Sequence, residues 1–114
     1  MTQPRYIKAV SDLRWKYDLF ILDQWGVLHN GVNAHQGAVN AMAIIKSAGK
    51  KIILVSNSSR RVSASADGLK KFGITPDLYD HILTSGELAW EAIKNQTDPF
   101  YQRLGKKCFI ISNS

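Results

Sequence analysis

Apolar positions along the chain fall into two kinds of pattern. Compact runs occur at "YDLFILD" (17–23), "KIILVS" (51–56), "DHILTSGE" (80–87) and "KKCFIIS" (106–112), each closing on small polar residues. Short continuous apolar runs bounded by turn signals read as buried strands of a parallel sheet. The segments between them are helical in character. "GAVNAMAIIKSAGK" (37–50) is rich in Ala, Met and Ile and stops at Gly49, a helix C-terminal signal. "NSSRRVSASADGLKKFG" opens with capping residues and ends at Gly73, and "GELAWEAIKNQ" follows the third run directly. Before the first strand, Tyr6, Ile7, Val10 and Leu13 recur near helical spacing, predicting a short amphipathic helix over 5–16. The Pro-containing stretch 94–105 reads as a linker before the last strand.

The predicted order is one helix, three strand–helix pairs and a final strand. Parallel neighbours need a long crossover, so this alternation implies an α/β fold with a parallel sheet and crossover helices. Such an architecture seldom stops just past a strand, and the sheet is therefore expected to be incomplete at its C-terminus. Ligands in open α/β sheets bind at the carboxyl ends of the strands. Here those ends are Asp23, Ser56-Asn57-Ser58, Thr84-Ser85-Gly86 and Ser112-Asn113. One polar strand end means little, because strand ends meet solvent. Four together point to a site.

The chemistry available there is specific. "VSNSSRR" (55–61) offers hydroxyls, an amide, two arginines and the backbone N–H groups of a helix start, a favourable setting for an anion. Asp23 stands opposite. A carboxylate and a phosphate approach each other only with a cation between them, which suggests Mg²⁺ in an oxygen shell. Asp23 could then attack phosphorus and form an aspartyl-phosphate that water hydrolyses. Arg60 and Arg61 read as a solvated helix start, of which one could assist an anionic substrate. "HNGVNA" (29–34) reads as a turn centred on Asn30-Gly31. His29 and His35 read as solvent-facing loop residues, His81 as structural. Trp15 and Trp90 are expected in the core or an interface, and Trp25 beside the site.

Composition narrows the setting. The chain has 114 residues, 45% hydrophobic and 21% charged, enough for one globular domain. The net charge of +6 comes from lysines and arginines placed singly or in doublets, without a nucleic-acid-binding signature. No apolar run has the length of a signal peptide or membrane span. Cys108 is the only cysteine and, set in an apolar run, is expected to be buried and inert. A cytoplasmic protein with neither nucleic-acid nor membrane partners is the expectation. If 114 residues is the biological product, the unfinished sheet favours a homo-oligomer.

"YDLFILDQWGVLHNG", "QGAVNAMAIIKSAGKKIILVSNSSRR" and "ILTSGELAW" occur in an order and spacing that resemble the haloacid-dehalogenase-like (HAD) hydrolases, in particular the NagD-like branch, subclass IIA, over residues 17 onward. The resemblance implies a Rossmannoid HAD core over 17–95, with 96–114 as the start of a C2-type cap, all within one domain. It implies a Mg²⁺-dependent phosphatase acting on a small phosphorylated substrate. Asp23 would be nucleophile and metal ligand, and Ser56 would bind the phosphoryl group with Asn57 and Ser58 beside it. The family's second acid, a general acid and base in phosphatase members, is replaced by Trp25. Indole has no proton to shuttle at neutral pH. The backbone carbonyl that the family gives to Mg²⁺ at this position survives any substitution. The alternative is a catalytically impaired HAD-derived domain that keeps phosphate or metal binding. A nucleotide-binding domain fits worst, since no Gly-x-Gly-x-x-Gly or Walker-type loop follows any strand.

Overall fold

A computed structural model describes residues 2–112. Its centre is a parallel sheet of β1 (Leu19–Asp23), β2 (Lys51–Ser56) and β3 (His81–Thr84), in the order β1-β2-β3. Two helices, α1 (Ala38–Ser47) and α2 (Val62–Lys70), form the crossovers, and α3 (Ser85–Asn95) leaves β3 without a loop. The alternating strand–helix reading of 17–95 is borne out, and the α/β parallel-sheet fold with it. In register, Asp23 pairs with Val55 and Ser56 with Thr84, so the three strands end at one edge.

Alternation along the strands explains the core. Phe20, Ile52 and Leu54 point to one face and are buried against Met42 and Ile45 of α1 and Leu69 of α2. Burying a side chain of this kind stabilises by about 1.5–3 kcal/mol. Leu19, Ile21 and Leu83 alternate onto the opposite face, which stays open; Ile21 is 64% exposed. At the other end of the sheet Asp80 accepts from Ile52 N (2.8 Å) and receives Lys46 Nζ (2.7 Å) and Lys51 Nζ (3.0 Å). The Lys46 ammonium, followed by the Ile52 N–H and Lys51, holds the Asp80 carboxyl well below the usual carboxylate range. No helix of the described residues is long and apolar enough to cross a membrane.

The expectations that fail here all lie outside the central sheet. The helix over 5–16 is only a 3₁₀ turn at Val10–Leu13. Tyr6 and Ile7 are exposed, and a segment this short is marginal as a helix without a packing face to bury. "KKCFIIS" is no strand through Ser112: Phe109, Ile110 and Ile111 are exposed and no neighbouring strand pairs with them among the described residues. Cys108 is consequently exposed, not buried. The linker over 94–105 holds a short helix α4 (Pro99–Gln102), begun by an Asp98 cap whose carboxylate accepts from Phe100 N at 2.8 Å. Trp15 is 72% exposed and so does not belong to the core. The Asn113 half of the fourth strand end lies outside the described residues.

Candidate active site

β1 ends in Asp23, whose carboxylate is exposed and accepts a hydrogen bond from Gln24 N at 2.8 Å. The chain then turns sharply. The Gln24 carbonyl accepts from Leu28 N (2.8 Å), and Gly26 donates its N–H to the His29 carbonyl (2.7 Å) with φ +81°. That positive φ is why the position after Trp25 is a glycine. The Asn30-Gly31 turn forms as expected: Asn30 Oδ1 accepts from Val32 N (2.9 Å) and Asn33 N (2.8 Å). Gly31 has φ +87°, and a Cβ there would stand 3.2 Å from Trp25 Nε1. Trp25 itself remains 69% exposed.

β2 ends in Ser56. Its Oγ accepts from Ser58 N (3.1 Å), and Ser58 Oγ accepts from Arg60 N (3.2 Å), two side-chain turns that lead the chain into α2. A cavity of about 500 Å³ opens beside this loop. Gln24, Trp25 and His29 line it from the β1 side, Ser56, Asn57, Ser58 and Arg60 from the β2 side, and Lys71 and Phe72 from beyond α2. Ser56, Asn57, Ser58 and Trp25 are thus brought together. Asp23 sits at the same sheet edge, one residue before the lining begins, and its carboxylate lies outside the cavity. The cavity wall contains no aspartate or glutamate.

Several residues of this region escape a reading of the sequence. Gln24 occupies an unremarked position between Asp23 and Trp25, yet it is buried, with Oε1 accepting from Ser65 Oγ at 3.0 Å. His29, expected to face solvent, is half-buried and stacked on Phe72 with ring centroids 4.4 Å apart. Its Nδ1 accepts from Gly31 N (3.1 Å). Burial, with His35 nearby, holds this imidazole below its ordinary pKa.

The third strand end serves the second. Thr84 Oγ1 caps α3 by accepting from Glu87 N (3.0 Å) and donates to the Arg60 carbonyl (2.7 Å). Gly86 N donates to the Ser58 carbonyl (3.0 Å). A Cβ at Gly86 would overlap the Ser59 carbonyl and stand 2.7 Å from the Arg60 oxygen, so only glycine lets the loop approach. "TSGE" has the spacing of a capping box, in which the acid normally folds back on its own helix. Here Glu87 turns instead to α2, accepting from Val62 N (2.9 Å) and forking with Arg61 at 2.8 Å on both nitrogens. Arg61, with the Val62 N–H second, brings the Glu87 carboxyl down to about 2. The capping-box spacing was the available signal; its diverted acid is a tertiary fact.

Residues 20–114 match the family model for haloacid dehalogenase-like hydrolases. The chain belongs to that family. A 4-nitrophenylphosphatase of Schizosaccharomyces pombe is similar to this HAD-like chain, with 36% identity over 118 residues, covering 100% of this chain and 36% of the relative. A crystal structure of a haloacid dehalogenase-like hydrolase from Brucella suis 1330 superposes with a TM-score of 0.69 and 33% identity, over 76% of this chain and 33% of that one. The chain thus spans about a third of the length of these relatives. The resemblance read from its motifs is borne out.

Proposed function

We propose that this HAD-like chain carries the nucleophile and phosphoryl-binding portion of a phosphatase, hydrolysing phosphate monoesters through an aspartyl-phosphate on Asp23. The observation that carries the reading is the common edge of β1 and β2, which sets an exposed carboxylate beside the Ser56-Asn57-Ser58 loop. The loop presents hydroxyls, an amide and backbone N–H groups to a phosphoryl group, and no acid lines the cavity to repel it. The S. pombe relative's name points the same way.

The donor set fits Mg²⁺. Asp23 keeps one carboxylate oxygen free of hydrogen bonds, and the Trp25 carbonyl accepts from no backbone N–H, both among the described residues. Both are hard oxygen donors, and no larger cluster of His, Cys, Asp or Glu converges among the described residues. Mg²⁺ commonly takes one or two protein oxygens and keeps water and phosphate for the rest. When bound, it would supply the charge that lets a carboxylate face a phosphate dianion.

Within the reaction, Ser56, Asn57 and Ser58 bind and orient the phosphoryl group. Asp23 forms the O–P bond as the ester oxygen leaves, and water then cleaves the acyl phosphate to restore the carboxylate. Trp25 provides no proton for the departing oxygen, a deficit typically worth roughly 10²–10⁴ in rate. Aryl phosphates, whose weakly basic aryloxide departs without prior protonation, are therefore the favoured class. Residues 17–95 form the core in this reading, and 96–114 begin a cap. The exposed Cys108 thiol suits a reducing, cytoplasmic setting.

Asp23→Asn is expected to abolish phosphate release from an aryl phosphate in the presence of Mg²⁺. Undiminished turnover in that variant would remove Asp23 as nucleophile. Trp25 in place of a second acid favours one other reading, a domain that binds phosphate or metal without turning it over. Phosphate binding with no release from any aryl ester would select it.

A further inference from the structure

Arg60 and Arg61 open the helix beside the phosphoryl-binding loop, and the structure gives the two neighbours different fates. Arg61 lays a two-pronged fork on Glu87, with Nε to Oε2 and Nη2 to Oε1 both at 2.8 Å. Its Cζ lies 3.6 Å from the ring centroid of Trp90, within the range of a cation–π contact. Its charge is committed to α3. Arg60 forms no ion pair among the described residues. It is exposed and lines the cavity together with Ser56, Asn57, Ser58 and Lys71.

Its backbone is nevertheless held at both ends. Arg60 N donates to Ser58 Oγ (3.2 Å) and its carbonyl accepts from Thr84 Oγ1 (2.7 Å). The loop on which it stands is docked again by Gly86 N on the Ser58 carbonyl (3.0 Å) and by Glu87 on Val62 N (2.9 Å). A free guanidinium on a fixed backbone, carried by a residue that lines a cavity whose wall has cations and no acid, lacks its natural partner. An anion is that partner.

We propose that Glu87 divides the two arginines, fixing Arg61 as the anchor of the loop and leaving Arg60 as the cation that receives a phosphate group of the substrate. The inference rests on the phosphoryl-binding reading of Ser56–Ser58 and is independent of hydrolysis. A phosphate dianion at that loop presents paired oxygens to a planar donor fork, the geometry in which arginine exceeds lysine. Arg60 is a binding residue. Glu87 touches no substrate and is a positioning residue, since without its carboxylate Val62 N–H loses its acceptor and Arg61 becomes a second loose cation beside the loop.

Inorganic phosphate titrated into the full chain tests this, followed by calorimetry and, in parallel, by hydrogen exchange at the Gly86 and Val62 amides. Arg60→Ala is expected to weaken phosphate binding about tenfold or more, the scale of a charge-assisted hydrogen bond. Both amides should keep wild-type protection in that variant. Arg60→Lys should recover only part of the affinity. Glu87→Gln and Arg61→Ala should behave oppositely, losing protection at both amides, with any loss of affinity following the loosened loop. Undiminished binding in Arg60→Ala overturns the proposal, as does an equal loss in Arg60→Ala and Arg61→Ala with both amides still protected. A wild-type chain that does not bind phosphate overturns it as well. Phosphate binding without release from an aryl phosphate would sink the hydrolase reading and leave this one standing.

Discussion

The loops after β1 and β2 flank the same cavity but are ordered by different means. The backbone of the β1–α1 loop is tied by its own residues: the Gln24 and His29 carbonyls, the Asn30 side chain, and glycines at 26, 31 and 37 with φ of +81°, +87° and +83°, while the Gln24 and His29 side chains rest on Ser65 and Phe72. The β2–α2 loop holds itself only through Ser56 and Ser58, and the rest of its order comes from Thr84, Gly86 and Glu87 of the next strand–helix unit. A loop that ties its own backbone can fail alone. A loop docked from behind fails with its neighbour.

The sharpest way to break the contrast is Gly86→Ala. The new methyl meets the Ser59 and Arg60 backbone, which cannot rotate away, so a loss of about 3 kcal/mol or more in urea unfolding is expected, the upper range for overpacking. Gly86→Ala should also undock the β2–α2 loop while the Asn30 turn keeps its amide protection.

Acid should reach the docked loop next. Glu87 titrates at about 2 in the folded chain against 4.5 for a free glutamate. A carboxyl with a depressed folded pKa contributes stability that is complete above its unfolded value and is lost as pH falls towards the folded one. Wild type should therefore exceed Glu87→Gln in urea midpoint at neutral pH, and the difference should close between pH 4.5 and about 2. A difference that stays constant over that window would place the effect of the substitution elsewhere.

Smaller changes probe the self-tied loop. Gly31→Ala forces a side chain into φ +87° and against the Trp25 indole, at a cost of about 1–2 kcal/mol. Trp25 fluorescence should shift with it, while protection of Val62 stays unchanged. Asn30→Ala removes two acceptor contacts at an exposed turn and should cost about 1 kcal/mol or less.

This division also explains what could be read from the chain. The Asn30-Gly31 turn was legible because its signal is local: one amide side chain and one glycine, adjacent in sequence. β2 was legible to the residue, Lys51–Ser56, because a central strand, buried on one face and half-covered on the other, leaves a dense apolar run. The Glu87–Arg61 fork was not, because it joins residues 26 apart whose meeting depends on the β2–β3 register. The Gln24 and His29 environments depend likewise on α2 and Phe72. The run "CFIIS" misled for the converse reason. Its pattern is that of a strand, but a strand also needs a partner, and Ile111 is 91% exposed.

The open face of the sheet bears on how these variants are measured. Leu19, Ile21 and Leu83 present an apolar surface in the native fold, the kind of surface that binds environment-sensitive dyes such as ANS. Dye fluorescence will therefore be high before any unfolding begins, and a thermal-shift assay will show a raised baseline and a shallow transition. Far-ultraviolet circular dichroism follows the sheet and helices directly and gives the unfolding midpoint free of that background.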